Sequence, residues 1–170
     1  MDDVLGVLLD ELDRTNAWQN TIVVFFSDHG IQTGEHNGLW FKQSLFEGCL
    51  RIPLVICAPG KPGGGIHNSP VEAVDIYSTL AELAGLPAPV GQEGSSLVPL
   101  LERQNISWKK AAFSQVRRVD RTGSSDTTLY NSVRTTNYHY NNWDTSGEEL
   151  YDIVNDPKEY VNLINDTAYA

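Results

Sequence analysis

Thr21-Ile22-Val23-Val24-Phe25-Phe26-Ser27-Asp28-His29-Gly30 is the stretch on which the reading of this chain turns. Residues 21–27 are uncharged and mostly β-branched or aromatic. Such a run without polar alternation predicts a strand buried on both faces, of the kind found inside a parallel sheet. It ends in Asp28 and His29, and Gly30 allows a sharp turn. In open α/β sheets, ligands sit beyond the carboxyl ends of strands. A carboxylate and an imidazole at such an edge suit a metal ion, and Lys42, one loop later, suits an anion beside it. Taken alone, Asp28 is equally a turn cap, His29 a hydrogen-bonded surface histidine and Lys42 a solvated charge.

Upstream, Val4, Val7, Leu8 and Leu12 recur at helical spacing, widened by Leu5 and Leu9, and predict a helix over residues 2–16. Asp2 and Asp3 stand in its first turn, where they suit the helix dipole. Downstream, residues 31–48 read as a long loop carrying Glu35, His36, Trp40, Lys42 and Glu47, and long ordered loops at sheet edges tend to be functional. Residues 50–57 are a second apolar strand, with Pro53 marking an edge, a bulge or a late start. Residues 58–65 are rich in turn formers. Val74, Ile76, Tyr77, Leu80 and Leu83 give the apolar face of a helix over residues 71–84, with Gly85 as its C-cap. Residues 95–102 read as one short helix.

After about residue 104 the pattern becomes that of short strands, over residues 111–116, 133–143 and 149–153, the second alternating Tyr138, Tyr140 and Asn142 against Asn137, His139 and Asn141, with a polar loop over 117–125. Two domains are expected: residues 1–103, α/β, and residues 104–170, a small antiparallel β subdomain. The 170 residues are 41% hydrophobic, ordinary for a globular chain, and carry a net charge of −10. That charge argues against nucleic acid or an anionic membrane as partner. No apolar run reaches membrane-spanning length, and Met1-Asp2-Asp3 is acidic where a signal peptide is basic. The compartment is left open. Cys49 and Cys57 have neither metal-ligand nor redox spacing and are expected as buried free thiols.

Taken in order, several motifs carry a resemblance: Ser27-Asp28-His29-Gly30, Gly34-Glu35-His36 with Trp40-Phe41-Lys42, Phe46-Glu47 with Arg51-Ile52-Pro53, Val74-Asp75-Ile76-Tyr77, Val133-Arg134, Glu149-Leu150-Tyr151-Asp152, Asp156-Pro157 and Asn162-Leu163. The chain resembles the C-terminal portion of the type I, formylglycine-dependent sulfatases. Because the metal pair is Asp-His, it is most similar to iduronate-2-sulfatase-like carbohydrate sulfatases. The resemblance implies an alkaline-phosphatase-like α/β fold, with a mixed sheet, flanking helices and an antiparallel C-terminal subdomain. It implies hydrolysis of sulfate esters, small or glycan, with Asp28 and His29 as metal ligands. Lys42 matches the catalytic lysine that contacts the sulfate, and His36 is a substrate-side candidate. The implied cofactor is a divalent cation, Ca2+ foremost, with Mg2+ or Mn2+ compatible with the nitrogen ligand.

The family's nucleophile, a formylglycine made in Cys/Ser-x-Pro-Ser/Ala-Arg, has no match here. Cys57-Ala58-Pro59-Gly60-Lys61 imitates it only in part, and a strand-to-turn junction accounts for it better. The nucleophile and the rest of the metal site are therefore expected in a missing N-terminal half of the same enzyme, which makes this chain inactive alone. The alternatives are a piece of a phosphonate monoester or phosphodiester hydrolase of the alkaline phosphatase superfamily, or a truncated non-catalytic product. Glu47 and Arg51 are expected to pair, Trp40 to pack under its loop or line the substrate pocket, and Asp75 and Tyr77 to be structural. Asn105-Ile106-Ser107 and Asn165-Asp166-Thr167 are glycosylation sequons, meaningful only on a eukaryotic secretory path.

Overall fold

The computed structural model describes residues 2–88, 90–102, 106–119 and 127–169. The expected domain boundary at 103/104, Asn105 of the first sequon and residues 120–125 of the expected polar loop lie outside them. The chain forms two compact units. One comprises Met1–Phe26, Pro53–His67 and Val74–Ile106; the other comprises Ser27–Ile52, Asn68–Ala73 and Ser107–Ala170.

In the first unit, α1 (Asp2–Arg14) has the expected acidic first turn but buries none of its side chains. Val4, Val7 and Leu8 are all exposed. β1 (Val23–Phe26) pairs with β2 (Leu54–Cys57) in an antiparallel ladder running from Val23 opposite Cys57 to Phe26 opposite Leu54. The expectation of a parallel strand buried on both faces is thus corrected. β1 is half-buried and its nearest partner runs the other way. An unbroken apolar run specifies a strand, but neither the direction of its neighbour nor what covers its faces. Pro53 marks a late start, since β2 begins at the next residue.

α4 (Asp75–Leu83) is shorter than the expected span, and α5 (Val98–Glu102) begins three residues later than expected. Asp75 is fully buried, and its carboxylate accepts the Ser95 N–H at 2.8 Å. Thr79 Oγ1 accepts the Leu97 N–H at 2.8 Å. These bonds pin residues 94–98 along α4, so Asp75 is structural as expected. Tyr77, by contrast, is exposed. Ile76, Ala81, Leu97, Val98 and Leu100 form this unit's core.

The second unit is built on an antiparallel meander of β3 (Ala111–Val119), β4 (Thr127–Thr135), β5 (Tyr138–Asn142) and β6 (Glu148–Asp152). The single strand expected over 133–143 is two strands joined by a tight turn at residues 136–137. Thr135 Oγ1 accepts the Tyr138 N–H across that turn at 2.9 Å. The turn has no glycine, which is why the sequence hid it. β3 runs on into the expected loop. The expected alternation on β5 is present, and the buried face is the polar one: His139 and Asn141 are fully buried. Leu45, Cys49, Tyr151 and Ile153 complete this core. Cys49 is buried as expected; Cys57 is exposed, which corrects the second thiol. Burial alternates along β2, and Cys57 stands on its exposed side with Val55. No helix among the described residues is long and apolar enough to cross a membrane.

Candidate active site

Residues 31–48, read as a loop, fold back on themselves. Gln32 N–H donates to Phe41 O at 3.1 Å and Gly34 N–H to Leu39 O at 3.0 Å. A single turn, α2 (Glu35–Gly38), closes the tip, with His36 and Asn37 both in the left-handed region. These two backbone pairs bring residue 42 back beside residue 29. This is how a separation of 13 positions becomes a contact.

A second turn, α3 (Glu47–Leu50), supports the other side. Gly30 N–H donates to Cys49 O at 2.8 Å. A Cβ on Gly30 would stand 2.1 Å from the Gly48 carbonyl oxygen. Glycine is needed there for close approach rather than for a sharp turn. Gln32, buried, packs its amide against Gly48 from the far side.

Within this frame three of the expected site residues meet. Lys42 Nζ lies 3.0 Å from His29 Nε2, and Asp28 Oδ2 lies 3.4 Å from the same nitrogen. His29 Nδ1 faces the Gly30 carbonyl oxygen at 2.8 Å. A carbonyl only accepts and an ammonium only donates. Nδ1 therefore carries the proton, and Nε2 presents its lone pair toward Lys42. Ser27 Oγ donates to His29 O at 2.6 Å, fixing the backbone under the ring. The Asp28 side chain is 83% exposed and that of His29 37%, so both are open to solvent and solutes.

This arrangement presents a carboxylate oxygen and an imidazole lone pair at one point, with an ammonium next to them. Two such donors fit part of a cation site. Among the described residues no group of three or more His, Cys, Asp or Glu gathers to complete one. Among the described residues Lys42 Nζ meets no second partner, which leaves its other two N–H directions for an anionic oxygen.

His36 does not join this group. Its ring stacks on Phe46 at a centroid distance of 3.7 Å and an interplanar angle of 8°, with Tyr160 at 5.3 Å. Glu35 turns back to accept the Thr33 N–H at 2.6 Å, which holds its carboxyl below the usual range. Trp40 is exposed rather than packed beneath the loop. The expected Glu47–Arg51 pair is replaced: Glu47 Oε1 accepts from Arg134 Nε on β4 at 2.7 Å. Cys57 ends β2, and Ala58–Lys61 is a hydrogen-bonded turn with Gly60 left-handed, as a strand-to-turn junction requires.

A buried polar group on the other side of α3 was not singled out in the sequence. Ser132 Oγ lies 2.5 Å from His139 Nε2, and His139 Nδ1 bonds Glu159 Oε1. The only signal available was the alternation on β5, which does not say which face is buried.

Comparisons with known proteins bear on this geometry. The family model described as Sulfatase matches residues 1–86. A sulfatase of Formosa agariphila is 33% identical over 169 residues, covering 99% of this chain and 31% of its own length. An N-acetylglucosamine-6-O-sulfatase of Bacteroides thetaiotaomicron is 32% identical over 178 residues, covering 100% of this chain and 31% of its own length. The crystal structure of a phosphonate monoester hydrolase of Agrobacterium radiobacter superposes with a TM-score of 0.84 at 31% identity, covering 99% of this chain and 36% of that one. The fold is thus that of the alkaline-phosphatase-like sulfatases. The chain spans about a third of the length of the curated relatives it matches. With a family model over half its residues and curated relatives above 30% identity that cover nearly all of it, the chain belongs to the sulfatase family.

Proposed function

We propose that this chain supplies part of the active site of a sulfuric ester hydrolase acting on sulfated carbohydrates. The observation that carries the reading is the convergence of Lys42 Nζ, His29 Nε2 and Asp28 Oδ2 on one open patch. Asp28 and His29 would hold a divalent cation, calcium foremost and magnesium or manganese as alternatives. When bound, such a cation polarises the oxygens of the ester group it faces. The tautomer of His29 suits this, because Nδ1–H···O=C of Gly30 puts the ring's one lone pair on Nε2, where a cation would take the place of the Lys42 N–H that now meets it. Lys42 donates to a sulfate oxygen and offsets negative charge that grows as the S–O bond breaks. A compact ammonium suits a tetrahedral anion, since it needs no planar match.

The nucleophile of this reaction lies outside residues 1–170, because no Cys or Ser here stands in the formylglycine motif. The carbohydrate preference is supported by the N-acetylglucosamine-6-O-sulfatase relative. His36 is assigned to packing on Phe46 rather than to the sulfate.

A second reading, phosphonate monoester hydrolysis, is favoured by the superposition on the Agrobacterium radiobacter enzyme. A point charge at Lys42 does not by itself tell sulfur from phosphorus. The deciding experiment assays the polypeptide that carries this chain on an aryl sulfate, a sulfated glucosamine and an aryl phosphonate monoester. A higher kcat/KM on the sulfates is expected. A higher value on the phosphonate would install the second reading, and hydrolysis of none would overturn both.

A further inference from the structure

Ser132, His139 and Glu159 form a chain of buried hydrogen bonds. Ser132 is 2% exposed, His139 0% and Glu159 2%. The order hydroxyl, imidazole, carboxylate is that of a nucleophilic triad. No substrate reaches a serine so buried, so covalent chemistry is set aside. Burying a carboxylate and an imidazole is costly unless every lone pair and proton is used. The informative bond is the one that leaves the trio. Glu159 Oε2 accepts the N–H of Glu47, 112 positions away, at 2.8 Å.

Glu47 is the first residue of α3. Its side chain is tied to Arg134 on β4, and its backbone is tied through Glu159 to His139 on β5. The same turn presents Cys49 O to Gly30 N–H, and Gly30 directly follows His29. Glu159 itself sits in the left-handed region at φ 59. That conformation is uncommon for a side chain of this length and persists only where the surroundings impose it. Asp156 provides the imposition: its carbonyl accepts the Glu159 N–H at 3.1 Å and its carboxylate accepts the Val161 N–H at 2.7 Å.

We infer that Glu159, held by His139, is a positioning residue for the His29–Lys42 pair, acting through the Glu47 amide, α3 and the Gly30–Cys49 bond; this rests on the role given to that pair above. The carboxylate orders α3, α3 orders the Gly30 turn, and the turn sets where His29 Nε2 meets Lys42. Glu159 is itself only 2% exposed, so its removal acts through geometry.

Amide hydrogen exchange of the full chain reads the link without reference to catalysis. Glu159→Ala is expected to speed exchange at Glu47 and Gly30 by about tenfold, the change that corresponds to loss of one net hydrogen bond of roughly 1.4 kcal/mol. Amides of the β3–β4 ladder are expected to keep their rates. Glu159→Gln keeps an acceptor oxygen but loses the charge, so its rates should fall between those of wild type and Ala. That variant also serves if the Ala form does not fold. Ser132→Ala leaves the Glu159–Glu47 bond intact and should leave Gly30 unchanged. Unchanged Gly30 exchange in both Glu159 variants would overturn the inference, as would equal acceleration throughout the β3–β4 ladder.

A second readout is kcat on an aryl sulfate in the polypeptide carrying this chain. It should fall in Glu159→Ala and recover in part in Glu159→Gln. Ile153→Ala, a purely apolar loss in the same unit, should leave kcat unchanged. If Ile153→Ala lowers kcat as much as Glu159→Ala does, positioning is overturned. If the wild type turns over no sulfate while the Gly30 effect is present, the mechanical link stands and the proposed function fails.

Discussion

In the first unit α1 runs for 13 residues without burying a side chain, and Phe26 and Val55 of a two-stranded ladder stay exposed. In the second unit, built on four antiparallel strands, serine, histidine and glutamate are buried and bonded in a chain, with Asn141 buried on the strand beside Ser132. The first has apolar surface with little packed against it, while the second spends its interior on polar groups. Buried polar networks give one geometry rather than many when each member is satisfied. The unit with the polar interior is also the one that holds Asp28, His29 and Lys42. Uniqueness of geometry is what a site needs, and apolar packing alone does not supply it.

The contrast can be broken by matched truncations. Leu45→Ala, at a fully buried position of the second unit, should cost about 3 kcal/mol. Leu8→Ala, on the open face of α1, should cost less than about 0.5 kcal/mol. Urea melts of the two variants against wild type measure both. Equal costs would mean that the face of α1 is covered in solution.

Alkaline pH should loosen the second unit. Burial pushes the Tyr151 phenol well above the usual tyrosine range, and Glu149 adds to the shift. The folded chain then holds a proton that the unfolded chain loses above about pH 10. Stability from this group is complete below that pH and declines as pH rises further. Tyr151→Phe should flatten the decline, as followed by melts between pH 9 and 12 (roughly the range in which an unfolded tyrosine ionises). An unaltered slope would show that other groups govern it.

Asn141 sharpens the claim about polar interiors. Neither its amide nitrogen nor its amide oxygen finds a partner among the described residues. Asn141→Leu, which keeps the branch at Cγ and removes both unpartnered polar atoms, should therefore stabilise the chain by about 1 kcal/mol. A loss of stability would show that the amide is satisfied in solution. The smallest effect concerns the thiols. Cys57 of the first unit should react with a disulfide reagent in the folded chain. Cys49 of the second, its thiol pushed up by burial, should react only on unfolding. Two fast thiols would place Cys49 outside the packed interior.

Much of the site was legible in the sequence, and much of what supports it was not. Asp28, His29 and Lys42 stand in local motifs whose residue types announce chemistry. Their convergence needed only the backbone pairs Gln32–Phe41 and Gly34–Leu39. Partner choice was less legible. Glu47 had Arg51 one helical turn away, yet it pairs with Arg134, 87 positions on. A sequence orders charges along the chain, whereas a sheet brings distant ones together. For the same reason Glu159, a plain residue after Asp156-Pro157, gave no sign that it reaches Glu47. The direction of β1 was equally hidden, because an apolar run reads the same beside a parallel or an antiparallel neighbour.

The role of the lysine is open to direct measurement. Turnover of an aryl sulfate by the polypeptide carrying this chain should fall by about two to three powers of ten in Lys42→Ala, with the fold retained by circular dichroism. Turnover equal to that of the unsubstituted protein would contradict the assignment of Lys42, and with it the site as described.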